Sequence, residues 1–211
     1  MSHTRVKICG ITRSEDAQLV ADAGADAIGL VFYPASPRAV DAKSAARIVS
    51  GLSPFVSVVA LFVNEPAESI NRILDSVPID VIQFHGDESA KFCGQFGRPY
   101  LKALRVKPGE DLLAASQQYD DAKGILLDTW QDGVPGGTGK TFDWTAAQVQ
   151  FPCPLVLAGG LTPANVSSAV EIVRPAAVDV SGGVESAPGI KNGAAVREFI
   201  SAVRAADQNR K

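Results

Sequence analysis

A single (β/α)8 barrel is the fold class that this sequence predicts, and three observations predict it. Short β-rich runs alternate with helical patterns along the whole chain. Several runs are near-continuously apolar, such as Ala27-Ile28-Gly29-Leu30-Val31-Phe32 and Leu155-Val156-Leu157-Ala158, which is how strands buried on both faces read. The strand-helix unit recurs eight times, and such alternation requires a parallel sheet with crossover helices. Eight units close into a barrel more readily than they extend an open sheet. A doubly wound sheet, the alternative, would show its glycine fingerprint after the first strand, whereas Gly10 stands without a G-x-G-x-x-G.

The first apolar run ends at Cys9, before Gly10. Further strand ends are expected near Phe32, Phe62, His85, Arg105, Asp128, Ala158 and Ser181. The intervening helices are expected at Ser14 to Ala23, Asp41 to Val49, Pro66 to Asp75, Asp87 to Phe96, Gly109 to Gln118, Phe142 to Val149, Pro163 to Ile172 and Asn192 to Ala205. Ser14 ahead of Glu15 and Asp16 suits a helix start, and Thr162-Pro163 places a proline at a first helical position. An offset of 96 residues relates Cys9 to Arg105, Phe32 to Asp128, Phe62 to Ala158 and His85 to Ser181, which reads as two similar half-barrels. Residues 1–211 are expected to form one domain, short for a fold of about 250 residues.

Composition excludes several function classes. A net charge of −3 argues against nucleic acid or an anionic membrane as partner. Three cysteines, Cys9, Cys93 and Cys153, form no C-x-x-C pair and point to a reducing compartment, the cytoplasm. No signal-peptide core opens the chain, and the longest apolar stretch, around Phe55 to Val63, is too short to span a membrane. With only His3 and His85, a dedicated zinc site is not expected.

Chemistry in such barrels sits at the C-terminal ends of the strands. Two glycine turns follow strands seven and eight, Ala158-Gly159-Gly160-Leu161-Thr162 and Ser181-Gly182-Gly183-Val184-Glu185. Glycines let backbone N–H groups cradle a phosphate, and these two loops are the habitual phosphate site of the fold. The first half of the chain has no matching pairs, so one phosphate is expected on the substrate. A third cluster includes Gly136, Gly137, Thr138 and Gly139. It fails as a nucleotide P-loop because Val134 stands where that pattern needs glycine. It reads as a loop closing over substrate, or as a plain connector.

Asp128 follows four apolar residues at a strand tip, where burial raises a carboxyl pKa and suits it to general-acid work. The alternative is an aspartate steadying the next loop. Cys9 shares a strand face with Lys7, whose ammonium would favour thiolate and make the thiol a usable base. Cys9 could instead fill space, and Lys7 could belong to a buried ion pair. Arg38, between Pro37 and the next helix, suits bidentate recognition of a carboxylate, or is a surface arginine.

Taken together, the ordered segments Lys7-Ile8-Cys9-Gly10-Ile11-Thr12, Ser36-Pro37-Arg38, Gln83-Phe84-His85-Gly86, Leu127-Asp128-Thr129, Ala158-Gly159-Gly160-Leu161-Thr162-Pro163 and Asp179-Val180-Ser181-Gly182-Gly183-Val184-Glu185 resemble the phosphoribosylanthranilate isomerase family of tryptophan biosynthesis. The resemblance covers essentially the whole chain. It implies an Amadori rearrangement with Asp128 as general acid, Cys9 as general base and Arg38 holding the anthranilate carboxylate. It implies phosphate contacts from Gly159, Gly160, Ser181 and Gly182, and places His85 and Asp179 near the substrate. No metal or organic cofactor is implied, and the expected assembly is a monomer or homodimer. The family often carries two serines where this chain has Ser181 and Gly182, so one hydroxyl is replaced by a backbone donor alone. Two other readings compete: a phosphosugar lyase using a Schiff-base lysine, Lys7 or Lys102, and a phosphosugar-binding protein without turnover.

Overall fold

The computed structural model describes residues 3–107, 109–129 and 143–209. Eight parallel strands close a barrel in chain order: β1 (Arg5–Cys9), β2 (Ala27–Val31), β3 (Ser57–Phe62), β4 (Val81–Phe84), β5 (Tyr100–Val106), β6 (Gly124–Thr129), β7 (Leu155–Leu157) and β8 (Ala177–Val180). Closure is made by β1 pairing with β8, which sets Lys7 beside Asp179. Strand ends fall within two residues of the 96-residue offset, as two half-barrels require.

Side chains alternate along each strand, so each strand serves two cores. The outer set, including Ile8, Ile28, Phe62, Ile82 and Val178, packs under the helices in one large cluster. Each such side chain contributes roughly 1.5–3 kcal/mol on burial. The inner set fills the barrel with Ala103, Leu126 and Val156 at one level and Cys9, Val31 and Leu61 at another. Gly29 lies opposite Cys9 in the β1–β2 register, and a Cβ there would come within 2.7 Å of the Cys9 sulfur. The missing side chain makes room for the thiol.

The helices are α1 (Ser14–Asp22), α2 (Ala42–Val49), α3 (Ala67–Ser76), α4 (Ala90–Cys93), α5 (Leu112–Gln117), α6 (Val166–Val173) and α7 (Gly193–Gln208). Their starts follow the local chemistry of short polar side chains. Asp41 accepts the Ser44 N–H at 2.7 Å ahead of α2, and Asn192 accepts from Ala194 and Ala195 ahead of α7. Among the described residues no helix is long and apolar enough to cross a membrane.

Several expected elements differ. Among the described residues of the segment expected as a helix from Phe142 to Val149, the one helical element is a 3-10 turn, Trp144–Ala147, capped by Asp143. The expected Asp87–Phe96 helix starts at Ala90 and passes into a 3-10 turn at Gly94, because Asp87 and Glu88 are spent on the loop after β4. Helix α5 is shorter than expected at both ends. Ser14 does not cap α1; Arg13 holds the cap position in extended conformation and Ser14 is the first helical residue. Pro163 is not a first helical position either. Asn165 accepts the Thr162 N–H at 2.8 Å, forming a turn before α6 begins at Val166. A short antiparallel hairpin, β9 (Glu185–Ala187) and β10 (Ile190–Lys191), follows β8 and was not expected. Gly189 turns it with φ +79°.

Candidate active site

One pocket of about 310 Å3 opens at the C-terminal ends of the strands. Cys9 from β1, Asp128 from β6 and Asp179 from β8 reach it from below. Arg38, His85 and the glycine turns after β7 and β8 form its rim. The structure therefore gathers Cys9, Arg38, His85, Asp128, Gly159, Gly160, Asp179, Ser181 and Gly182 at one site. The expected closing loop, Gly136 to Gly139, lies outside the described residues.

Asp128 is buried, with both carboxylate oxygens engaged. Oδ1 accepts the Thr129 N–H at 2.8 Å, and Oδ2 lies 3.2 Å from His85 Nε2. The other ring nitrogen of His85, Nδ1, is 3.0 Å from Gln83 Nε2. Gln83 and His85 are two apart on β4 and its extension, so both face the barrel interior.

Cys9 sits against a buried ion pair, in which Lys7 Nζ donates to Asp179 Oδ1 at 2.9 Å. Burial works against the Lys7 ammonium, and the Asp179 carboxylate that it donates to holds it charged. The effect of Lys7 on Cys9 is smaller than expected from the sequence. Burial pushes the thiol above its usual range, Lys7 pulls it down and Asp179 pushes it up again, leaving the net shift upward. The free protein thus holds Cys9 as a thiol at neutral pH.

Arg38 is not a surface side chain. Its Nε and Nη2 donate to the two carboxylate oxygens of Glu185 at 2.9 and 2.7 Å. Glu185 also accepts from Lys191 Nζ at 2.7 Å, and the two cations hold its carboxyl below the usual range despite burial. Lys191 Nζ in turn donates to the Ser181 carbonyl at 3.2 Å, tying this network to the strand-eight turn. Neither Glu185 nor Lys191 was singled out by sequence reasoning. Buried charge leaves no mark in a hydropathy pattern, and the hairpin that brings them together was not legible.

At the other rim, Gly159 and Gly160 take φ +84° and +65°, a conformation that favours glycine. A Cβ on Gly159 would collide with Thr129. Ser181 Oγ is buried without a hydrogen-bond partner among the described residues, while a Cβ at Gly182 would lie 3.2 Å from Arg38 Nη2. An orphaned hydroxyl beside glycine turns is the chemistry of an anion cradle. Beneath the β4 loop, Glu88 accepts the backbone N–H groups of Asn64 and Gly86 at 2.7 and 2.9 Å. Lys102 donates to Glu88 at 2.9 Å and to the Gly86 carbonyl at 2.7 Å. Lys102 thus points toward the helices, 2% exposed, and is no Schiff-base nucleophile for the pocket.

The fold and this pocket define the class: a (β/α)8-barrel enzyme with its ionisable side chains and glycine turns on one rim. Residues 6–202 match the family described as N-(5'phosphoribosyl)anthranilate (PRA) isomerase, and the chain belongs to that family. An N-(5'-phosphoribosyl)anthranilate isomerase of Pseudomonas aeruginosa (strain LESB58) is 60% identical over 204 residues, covering 97% of both chains. The protein of that name from Pseudomonas putida (strain GB-1) is 56% identical over 206 residues, covering 98% of this chain and all of the other. Among solved structures, phosphoribosyl anthranilate isomerase from Thermotoga maritima superposes with a TM-score of 0.88 at 42% identity, covering 96% of this chain and 99% of that one. A phosphoribosyl anthranilate isomerase solved in complex with reduced 1-(o-carboxyphenylamino)-1-deoxyribulose 5-phosphate superposes at 0.85 with 40% identity, over the same shares.

Proposed function

We propose that this enzyme converts N-(5'-phosphoribosyl)anthranilate to 1-(2-carboxyphenylamino)-1-deoxyribulose 5-phosphate in tryptophan biosynthesis, and that the residues gathered at the barrel mouth do so by general acid/base catalysis. The observation that carries the mechanism is that Cys9 and Asp128 face one pocket whose rim holds the glycine turns. The glycine turns at 159–160 and 181–182 take the phosphate through backbone N–H groups, with Ser181 Oγ as a further donor. The unused N–H groups of Arg38 take the anthranilate carboxylate.

Asp128 donates a proton to the ribose ring oxygen. The C1′–O bond breaks as the anilino nitrogen lone pair forms the C1′=N bond of a Schiff base. Cys9, as thiolate, then removes the C2′ proton, and the released electron pair forms C1′=C2′ while the C=N electrons return to nitrogen. The resulting enolamine tautomerises to the aminoketone. Atoms are conserved and no oxidant or reductant enters, so proton transfers complete the reaction. Asp179 keeps Lys7 in place beside Cys9, and His85 keeps Asp128 in place.

The protein is proposed to act in the cytoplasm as one catalytic domain, residues 1–211, and as a monomer or homodimer; sedimentation velocity distinguishes the two. The decisive assay follows conversion of freshly made N-(5'-phosphoribosyl)anthranilate by the purified protein. Tight binding of the substrate with no turnover would replace this reading with the binding-protein alternative.

A further inference from the structure

Lys191 is buried on the hairpin after β8 and does not line the pocket, yet its ammonium reaches two parts of the rim. Nζ donates to Glu185 Oε1 at 2.7 Å, beside Arg38, and to the Ser181 carbonyl at 3.2 Å. The backbone around it is fixed as well. The Lys191 N–H donates to the buried Asp16 carboxylate at 3.2 Å, and the Asn192 N–H donates to the Val184 carbonyl at 2.8 Å. The Thr12 hydroxyl donates to the Gly189 carbonyl at 2.6 Å. The hairpin is thereby tied to α1 and to the loop after β1, so the ammonium works from a fixed origin.

The bond to Ser181 has a directional consequence. A trans peptide unit is planar, so the Gly182 N–H points opposite to the Ser181 carbonyl, and no cis bond occurs among the described residues. With the carbonyl held on the hairpin side by Lys191, the Gly182 N–H is turned toward the pocket that Gly182 lines. The Val184 N–H reaches the same carbonyl at 3.4 Å, so Lys191 is the nearer and the charged holder. Glycine at 182 has no side chain to lock this peptide and no hydroxyl to stand in for its N–H. A flipped peptide would present a carbonyl oxygen, an acceptor, where an anion needs a donor.

From this geometry we propose that Lys191 is a positioning residue for the phosphate end of the site: it holds the Ser181–Gly182 peptide so that the Gly182 N–H faces the anion. The inference rests on the phosphate role of the glycine turns and not on the isomerisation step. Lys191 also draws the Cys9 thiol down against the effect of burial, so kcat mixes two roles of this lysine. Phosphate binding isolates one of them.

The probe is inorganic phosphate, titrated into the intact protein and followed at the backbone amides of Gly160 and Gly182 by NMR. In the wild type both amide protons are expected to move downfield on saturation. In Lys191→Met, phosphate affinity falls by about tenfold or more, and at saturation the Gly182 shift is lost while that of Gly160 persists. Glu185→Gln leaves the bond from Lys191 to Ser181 in place and keeps the Gly182 shift. If Lys191→Met does not fold because Glu185 has lost a cation, the double variant with Glu185→Gln removes both charges and is compared with Glu185→Gln alone. A full Gly182 shift at saturation without Lys191 overturns the proposal, because an ammonium acting by its charge alone would weaken binding and leave that shift. Unchanged phosphate affinity overturns it equally, and both results leave the isomerase reading intact. A wild-type Gly182 amide that ignores phosphate overturns it too, and takes the phosphate role of that turn with it. Absent turnover of N-(5'-phosphoribosyl)anthranilate with the expected shifts would remove the isomerase reading and keep this one.

Discussion

Arg38 and Glu185 are joined by two parallel hydrogen bonds, Nε to Oε1 at 2.9 Å and Nη2 to Oε2 at 2.7 Å, with the arginine side chain lying over Gly10. The fork that would grip a substrate carboxylate head-on is already occupied, and Lys191 Nζ donates to the same Oε1 that Arg38 Nε bonds. Arg38 is thus aimed by Glu185, and it meets the substrate with its remaining N–H groups.

Replacing Glu185 with glutamine keeps the shape and removes the charge. A hydrogen bond to a charged group contributes about 1.5–3 kcal/mol, so loosening Arg38 should raise KM by roughly tenfold or more while kcat changes little. Steady-state kinetics of Glu185→Gln check this. A drop in kcat at constant KM would mean that the pair serves the chemical step instead.

Cys9→Ser and Asp128→Asn should each lower kcat by at least ~10²-fold, the scale of a lost general acid or base. Near-normal turnover by either variant removes the mechanism.

The upward shift of Cys9 gives the wild-type pH profile a direction. Thiolate is scarce at neutral pH, so kcat/KM should rise as pH increases above 7. Lys7 is the largest influence pulling the thiol down, so Lys7→Met should move that rise to still higher pH. A profile that is flat on the alkaline side would show that Cys9 is not the titrating base.

Lys102 and Glu88 form a buried pair that fixes the loop after β4, the one carrying His85. Lys102→Met leaves Glu88 buried without its cation and should destabilise the fold by roughly 3–5 kcal/mol, read by urea unfolding. Borohydride added with substrate should trap no adduct at Lys102 or Lys7. A covalent adduct at either lysine would revive the lyase alternative.

Burial pushes the Cys93 thiol from an ordinary 9.0 up to about 12. Between those values the unfolded chain releases a proton that the folded chain keeps. The folded state then binds more protons, so stability should fall as pH rises from about 9 toward 12. Tyr100, buried and bonded to Asp121, is shifted the same way and adds to the loss. Unfolding free energies measured on both sides of pH ~9 test this, and Cys93→Ala should flatten the decline. An unchanged decline in that variant would assign it to other groups.

Much of this protein was determined by the sequence alone. The alternation of apolar runs with helical patterns is a local signal, and all eight strand ends were legible from it. Because a barrel directs chemistry to its strand ends, Cys9, Asp128 and the two glycine turns could be named before any coordinate was known. Local polar chemistry also located the starts of α2 and α7 at Asp41 and Asn192. It placed the start of α1 at Ser14 but misassigned its cap, which is Arg13, and it started α6 too early, since Asn165 closes a turn before that helix begins at Val166.

Only the tertiary structure decided what each side chain faces. Lys102 looked like a candidate nucleophile until its position on β5 turned it toward the helices and Glu88. Arg38 looked open to substrate until the hairpin after β8 brought Glu185 and Lys191 to it. Gln83 drew no separate attention, since an amide between apolar neighbours carries no pattern. The net rise of the Cys9 thiol, too, is a balance between burial and two opposite charges. The reason is common to all four. Periodicity records which face of an element is apolar, but pairing between buried charges joins residues 6 to 172 positions apart, and their distances exist only once the chain has folded.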